Sequence, residues 1–313
     1  MSRRAQAGAV GKPRAEALVE PRFAVCVTTM NRVEVLAACL ARLAECEPPP
    51  ACIVVSDDSA DPAMRAANEA VVRAAGNGVY LAGPRRGVCA NRNNAVRHCL
   101  EHRAGCTHVS FIDDDILVER DFFAAAGRRL ARIAPERRAK AMLTGGASSG
   151  PHLHECRSLR LSFACYFEEG EEPQCVNLHA SVFPLALFAG SGWDENIFFG
   201  TEDAELALRA LRQGYTIELE PALRSRDTMP GDGVLKGDDG RAGLTRYQLS
   251  CEAARLYIGV KRYWIIEPSM MRCAAFLAVY FCHLTLFLAK RRALSQLGPI
   301  VRLSKVWRVG TAG

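Results

Sequence analysis

Apolar positions recur along this chain in two alternating patterns. Phe23–Thr28 (FAVCVT) is a short apolar run, β-branched at alternate places, which predicts a strand. Asn31 follows with Glu34 three residues on, the pattern of a capping box. Val33, Leu36, Leu40 and Leu43 then repeat at helical spacing up to Cys46, and Pro48–Pro50 stop that helix. The same reading predicts strands over Cys52–Ser56, Gly78–Ala82 and Thr107–Asp113, with helices over Pro62–Ala75 and Val88–Arg103. Strand and helix alternating at this spacing predict βαβ units on a parallel sheet. Such sheets bind ligands beyond the carboxyl ends of their strands. Polar clusters fall at those ends: Thr28–Arg32, Asp57–Asp61 and Asp113–Asp115.

Beyond residue 140 the pattern loosens. Short apolar runs over 141–200 alternate with Gly, Pro and acidic stretches, which predicts short strands and loops. Thr201–Gln213 reads as a helix closed by Gly214, and Tyr215–Leu219 as a strand. Residues 225–243 are rich in Gly and Asp and predict a mobile loop. Leu244–Trp264 predicts a helix, and Cys273–Ala289 is a continuous apolar stretch. The division expected is a basic arm over 1–22, an α/β body over 23–224, the loop, and C-terminal helices over 244–313.

Composition narrows the class. With 24% charged and 49% hydrophobic residues, a disordered, collagen-like or multi-span membrane chain is excluded. The net charge of +6 is unevenly placed: residues 1–22 carry +3 and residues 290–313 carry +6 with no acid, which leaves the body at −3. That is not a nucleic-acid footprint, and it predicts an anionic partner at one end of the molecule. Thirteen cysteines occur singly, without C-x-x-C spacing. They predict reduced packing residues, Cys251, Cys273 and Cys282 among them, in a cytosolic compartment.

Three clusters hold candidate chemistry, each with a plain alternative. Asp113, Asp114 and Asp115 end a buried strand. On an extended chain Asp113 and Asp115 point the same way and suit one divalent ion; an acidic loop capping the next helix is the alternative. Glu202 and Asp203 follow Thr201, a plausible N-cap. Either they are first-turn acids at the positive helix end, or Asp203 is a general base. Arg85, Arg86 and Arg92 at a helix start suit a diphosphate, or else form a solvated basic face. His152 and His154 lack the further ligands of a zinc site.

The order of these motifs resembles glycosyltransferase family 2. "VCVTTMNR" (25–32) is similar to the family's P-T-Y-N-R turn, "VVSDDSAD" (54–61) to V-D-D-G-S-T-D, and "GVCANRNNAV" (87–96) to G-x-s-x-A-R-N-x-G. "FIDDDILV" (111–118) is similar to its D-x-D strand, and "GWDENIFFGTEDAELALRALRQGY" (192–215) to its G-F-D-E-x-F…E-D-x-D-L-x-x-R…G-Y. The resemblance spans about two thirds of the chain. It implies a GT-A fold: a Rossmann-like, mostly parallel sheet flanked by helices, here with a C-terminal helical extension. It implies an inverting, metal-dependent enzyme that moves one sugar from a UDP- or dTDP-sugar to a hydroxyl. In its terms Thr28, Thr29, Asn31, Arg32, Asp57, Asp58, Arg92, Asn93, Asp113 and Asp114 bind the nucleotide sugar. Asp113 and Asp115 hold Mg²⁺ or Mn²⁺. Asp203 is the base, Glu202 helps position the acceptor, and Gly192, Trp193 and Asp194 meet the acceptor. Trp193 has a second reading as core.

The chain departs from the pattern in places. Thr28 and Met30 stand where Pro and an aromatic are usual. No His follows the E-D helix before His283, so a further metal ligand is absent or replaced, for which Asp227 is the candidate. The Q-x-x-R-W of processive relatives is missing. In its region "RYQLSCEAARLYIGVKRYW" (246–264) is faintly similar to rhamnosyl-transferring members. Two other readings of the chain are a non-catalytic carbohydrate-binding scaffold and a sugar-nucleotide pyrophosphorylase, whose G-x-G-x-R start is absent. As a helix, Cys273–Ala289 is about 26 Å long, short of the ~30 Å hydrocarbon core. It is either a buried or dimer-forming helix or a membrane anchor beside a basic tail. The latter implies a peripheral enzyme on the inner face of the cell membrane, with a glycolipid or polysaccharide-precursor acceptor.

Overall fold

In a computed structural model, which describes residues 20–102, 105–149, 152–154, 156–229 and 243–310, alternate residues of the first strand feed two different cores. Val25 and Val27 of β1 (Phe23–Thr29) face one side, and Ala24 and Cys26 face the other. All four are fully buried, so this strand is central, as an apolar run without polar interruptions requires. The chain continues α1 (Val33–Ala44), β2 (Cys52–Asp57), α2 (Pro62–Ala74), β3 (Gly78–Ala82), α3 (Val88–His102), β4 (His108–Asp113) and β5 (Ile116–Val118). Then come α4 (Phe122–Arg132), α5 (Pro135–Arg138), β6 (Ala141–Ser149), β7 (His152–His154), β8 (Leu159–Leu161), β9 (Phe167–Glu169), β10 (Ser181–Pro184) and α6 (Leu187–Gly190). The last elements are α7 (Glu202–Arg212), β11 (Thr216–Asp227), α8 (Arg246–Lys261), α9 (Met270–Lys290) and α10 (Leu297–Ser304).

The large sheet runs β3-β2-β1-β4-β10-β6-β11-β5, with β7 beside β6, and β8-β9 form a separate hairpin. β3, β2, β1 and β4 are parallel, β10 is antiparallel to both neighbours, and β6 and β11 are parallel. One core lies under α1 and α4, through Leu36, Leu40, Phe122 and Leu130. The other lies under α3, α7, α8 and α9, through Val96, Leu206, Leu256 and Phe276. The α/β architecture with a mostly parallel first half is the one expected.

Several local expectations need correction. Asn31 does not cap α1. It takes the left-handed conformation at φ 59°, where Asn is tolerated, and its N–H donates to Ser59 Oγ at 2.8 Å. Arg32 holds the N-cap position without a side-chain capping bond. Thr201 is likewise left-handed, and its hydroxyl donates to the Gly200 carbonyl rather than capping α7. Ser225–Asp227, assigned to a mobile loop, belong to β11, which passes a register shift between Leu219 and Arg224 and continues beside β6 and β5. Pro221 sits inside that irregularity, where its missing donor costs no ladder bond. Residues 230–242 of the expected loop, residues 1–19 of the arm, and the His152 and His154 side chains lie outside what is described. Among the described residues every cysteine is a free thiol, and Cys273 is buried as expected, but Cys282 is exposed.

Candidate active site

Register brings the polar clusters together. Thr28 stands beside Ser56 on one side and Asp113 on the other, and Thr29 beside Asp57. The carboxyl ends of β1, β2 and β4 therefore form one polar edge, the position where parallel sheets bind ligands.

Along that edge the three consecutive aspartates have separate surroundings. Asp113 accepts from Thr28 Oγ1 at 2.6 Å and Arg92 Nη2 at 3.2 Å, and His179 Nε2 lies 3.4 Å away. Burial would raise its pKa, but the charge of Arg92, then His179 and the hydrogen bonds, outweigh burial and hold it at about 2. Asp114 turns inward to Thr29 Oγ1 at 2.7 Å and Arg32 at 3.1 Å. Burial, with the neighbouring Asp115 and Asp113 charges, outweighs those contacts and pushes it up to about 7. Asp115 pairs with Arg32 at 2.7 Å. The chain turns at residues 114 and 115, so the strand alternation expected to align Asp113 with Asp115 does not extend past Asp113.

Arg92 joins this edge to the start of α7. Its guanidinium is fully buried, bonds Glu202 Oε1 at 2.7 Å as well as Asp113, and lies over the Trp193 ring at 5.3 Å. Glu202 also accepts from the Gly200 N–H at 2.8 Å. Arg92, expected near a diphosphate, has a side chain only 2% exposed and reaches the site through two carboxylates. Next to Glu202, Asp203 accepts from the Ala204 N–H at 2.8 Å. Burial, then the Glu202 charge, push Asp203 up to about 7 against that hydrogen bond and Arg92.

The other assigned residues divide. Asp57 is saturated from within, by Ser59, Asn68 and Tyr80, and is 1% exposed, so a direct contact to the nucleotide is corrected to a support for the loop after β2. Asp58 is half-buried, raised by burial, and accepts from the Arg85 N–H at 2.8 Å. Asn93 donates to the Trp193 carbonyl at 2.9 Å and to Glu195 at 3.1 Å, and accepts from the Trp193 N–H. It braces the 192–195 turn rather than facing a ligand. A Cβ on Gly192 would stand 2.3 Å from Asn93 Oδ1, so this glycine serves that internal contact. Trp193 is 3% exposed among Phe111, Phe183 and Phe188, which corrects its acceptor-stacking role to core. Asp194 is buried on Tyr257 at 2.7 Å and Lys261 at 2.6 Å, and Lys261 also meets Glu205 at 2.6 Å. His179 was not singled out in the sequence: a lone His in an irregular stretch carries no periodic signal. Its Nδ1 is buried with no hydrogen-bond partner among the described residues.

A divalent ion fits these residues only in part. Among the described residues no three His, Cys, Asp or Glu side chains gather as a protein-made site. Mg²⁺ and Mn²⁺ need no such cage where a substrate phosphate supplies oxygens, and one or two carboxylates suffice. Asp113 and Asp115 retain 28% and 18% side-chain exposure and are the acids able to serve, whereas Asp114 has 6%. Asp227, the candidate replacement ligand, lies beside Ile116, and Thr228 donates twice to the Asp115 carbonyl. The end of β11 is thus tied to the acidic turn.

Residues 24–132 match the family described as Glycosyl transferase family 2. Among solved structures, S. aureus TarS 1-349 in complex with UDP-GlcNAc is similar over 90% of this chain and 81% of its own, at TM-score 0.55 and 15% identity. The mannosyltransferase PcManGT from Pyrobaculum calidifontis, in complex with GDP-Man and Mn²⁺, is similar over 94% of this chain and 86% of its own, at TM-score 0.53 and 17% identity. The chain spans 43% of the length of a longer TarS structure. No curated protein matches. The fold is thus the GT-A fold of those structures.

Proposed function

We propose that this chain, whose residues 24–132 match the family described as Glycosyl transferase family 2, transfers one hexosyl or rhamnosyl unit from a UDP- or dTDP-sugar to a hydroxyl acceptor, with inversion. The observation that carries this reading is the Arg92 bridge from Asp113 to Glu202. It sets the acidic edge of the sheet and the start of α7 in fixed relation, with Asp203 immediately next to the anchored Glu202. Inversion needs one base and no covalent intermediate. Asp203, pushed up to about 7 by burial and then the Glu202 charge, is placed to take a proton from an acceptor hydroxyl. Thr28 and Arg92 keep Asp113 ionised for the donor side. A Mg²⁺ or Mn²⁺ ion held by Asp113 and Asp115 would neutralise charge on the departing nucleoside diphosphate. The UDP-GlcNAc and GDP-Man of the similar structures support a nucleotide-sugar donor without selecting among bases. A glycolipid or polysaccharide-precursor acceptor accords with the apolar, basic C-terminal region.

The test is a melting series with UDP, dTDP and GDP, each with and without Mn²⁺. UDP or dTDP is expected to raise the melting temperature, and more so with metal. At about 100-fold excess over Kd the gain corresponds to ~2.7 kcal/mol. No response to any nucleotide would sink the reading.

The rate should also rise with pH through about 7 and level off above, because the base must be ionised. Nucleotide release measured across that range gives the profile. Asp114 takes up its proton near the same pH, so Asp114→Asn is expected to keep the rising limb. A flat profile in wild type, or a limb that disappears in Asp114→Asn, removes Asp203 from the role of base.

A further inference from the structure

The longest helix leaves an apolar side exposed. α9 buries Cys273, Phe276, Tyr280, Leu284 and Leu288, a single stripe at three- and four-residue spacing. That stripe packs on α8. Tyr280 donates to the Glu252 carbonyl at 2.9 Å, and a Cβ on Gly259 would fall 2.0 Å from Phe276 Cζ. The opposite side carries Met271, Ala274, Ala278, Cys282, Leu286 and Ala289, all exposed, with Thr285 its one polar member. Met271 is 84% and Leu286 64% exposed. Only 28% of the most apolar eighteen-residue window is buried. A soluble core helix hides such a sequence; here nothing among the described residues covers the outward half.

We propose that this face of α9 docks flat on an anionic lipid bilayer. Three observations select that occupant. The buried stripe fastens α9 to the body over its whole length, so the helix cannot cross a bilayer without leaving α8; only its outer side can enter the interface. Basic residues flank the face, with Arg272, which also pairs with Glu267 at 3.1 Å, in its first turn and Lys290, Arg291 and Arg292 after it, and residues 290–313 hold six basic side chains and no acid. A second copy would set one basic bracket against another, whereas anionic headgroups neutralise both. Tyr166, 44% exposed at the end of the β8-β9 hairpin, lies 6.4 Å from His283 on the flank of α9, an aromatic placed where membrane interfaces favour one. The proposal does not rest on the sugar-transfer reading, and its readout needs no donor or acceptor.

Flotation of the full chain with vesicles of phosphatidylcholine, alone or with about a third phosphatidylglycerol, tests it. The chain is expected to float with the anionic vesicles only, and to be released by alkaline carbonate. Met271→Glu combined with Leu286→Glu should lower the bound fraction at least about tenfold, with an unchanged melting temperature because both positions are exposed. Met271→Gln with Leu286→Gln is the milder pair should the first fail to fold. Equal flotation of wild type and both pairs overturns the proposal. Carbonate-resistant binding overturns it in favour of a spanning helix. A wild-type dimer that the Glu pair turns into a monomer, with no flotation, overturns it in favour of a second copy.

Discussion

Asp203→Asn is expected to reduce nucleotide release by about 10²–10⁴-fold in kcat, yet to melt no lower than wild type at pH 8. The two effects have one cause. Folding moves the Asp203 carboxyl from about 3.9 in the unfolded chain up to about 7, chiefly by burial and then by the Glu202 charge. A carboxyl raised by folding is destabilising when ionised. The cost is absent below the unfolded value, grows as pH rises toward 7, and is constant above. Asn carries no charge and escapes that cost, while its side-chain oxygen still accepts from the Ala204 N–H that Asp203 now holds. The base is thus kept at the expense of stability. Calorimetric melting beside a donor-turnover assay checks both parts. A variant that retains its rate, or that melts well below wild type, would show Asp203 to be a structural first-turn acid.

Arg92→Met is expected to have the largest effect on stability, about 3–5 kcal/mol, because removing one member of a buried ion cluster leaves the others unpaired. Glu202 is 8% exposed and would lose its only ion-pair partner among the described residues, and Asp113 would lose the charge that holds it near 2. A carboxyl depressed by folding contributes stability above its unfolded value, lost as pH falls through the folded one; the Met variant forfeits that contribution at neutral pH. At roughly 2–4 °C per kcal/mol the melting point should fall by about ten degrees. Arg92→Lys should recover part of the loss, since one ammonium cannot fork between Asp113 and Glu202 as a guanidinium does. If the cluster positions the site as well as stabilising the fold, metal-dependent nucleotide binding by the Lys variant should move to higher pH. Melting of the Met variant at the wild-type temperature would contradict the bridging role.

Much of the first half was legible because each strand and helix there follows its own period. The run FAVCVT is buried on both faces, as a central parallel strand must be, and Leu36, Leu40 and Leu43 sit where helical spacing put them. The polar edge followed, since a parallel sheet lines up the ends of β1, β2 and β4 whatever the loops do. The roles of Arg92 and Trp193 were not legible. A motif states that an arginine and an aromatic are present, but not which way they point. Packing turned Arg92 inward between two acids and Trp193 into a cage of phenylalanines. His179 was missed because it lies in an unperiodic region and its partner, Asp113, is distant in sequence. The second half of β11 was read as loop because Pro221 and the acids beyond it are turn-like, while its partners in β6 and β5 are decided by tertiary pairing.

The Lys261 ammonium at the end of α8 contacts Asp194 in the turn before α7 and Glu205 within α7. Burial would raise Asp194, but the Lys261 charge first, then its hydrogen bond, hold it down. Two acids of the body are therefore compensated by a cation 67 residues after Asp194 and 56 after Glu205, beyond the boundary expected near residue 224. The same core contains Leu206 of α7 and Leu256 of α8. The body and the C-terminal helices are accordingly expected to melt as one cooperative unit, and the shortest piece that keeps the α7 acids compensated reaches at least to Lys261.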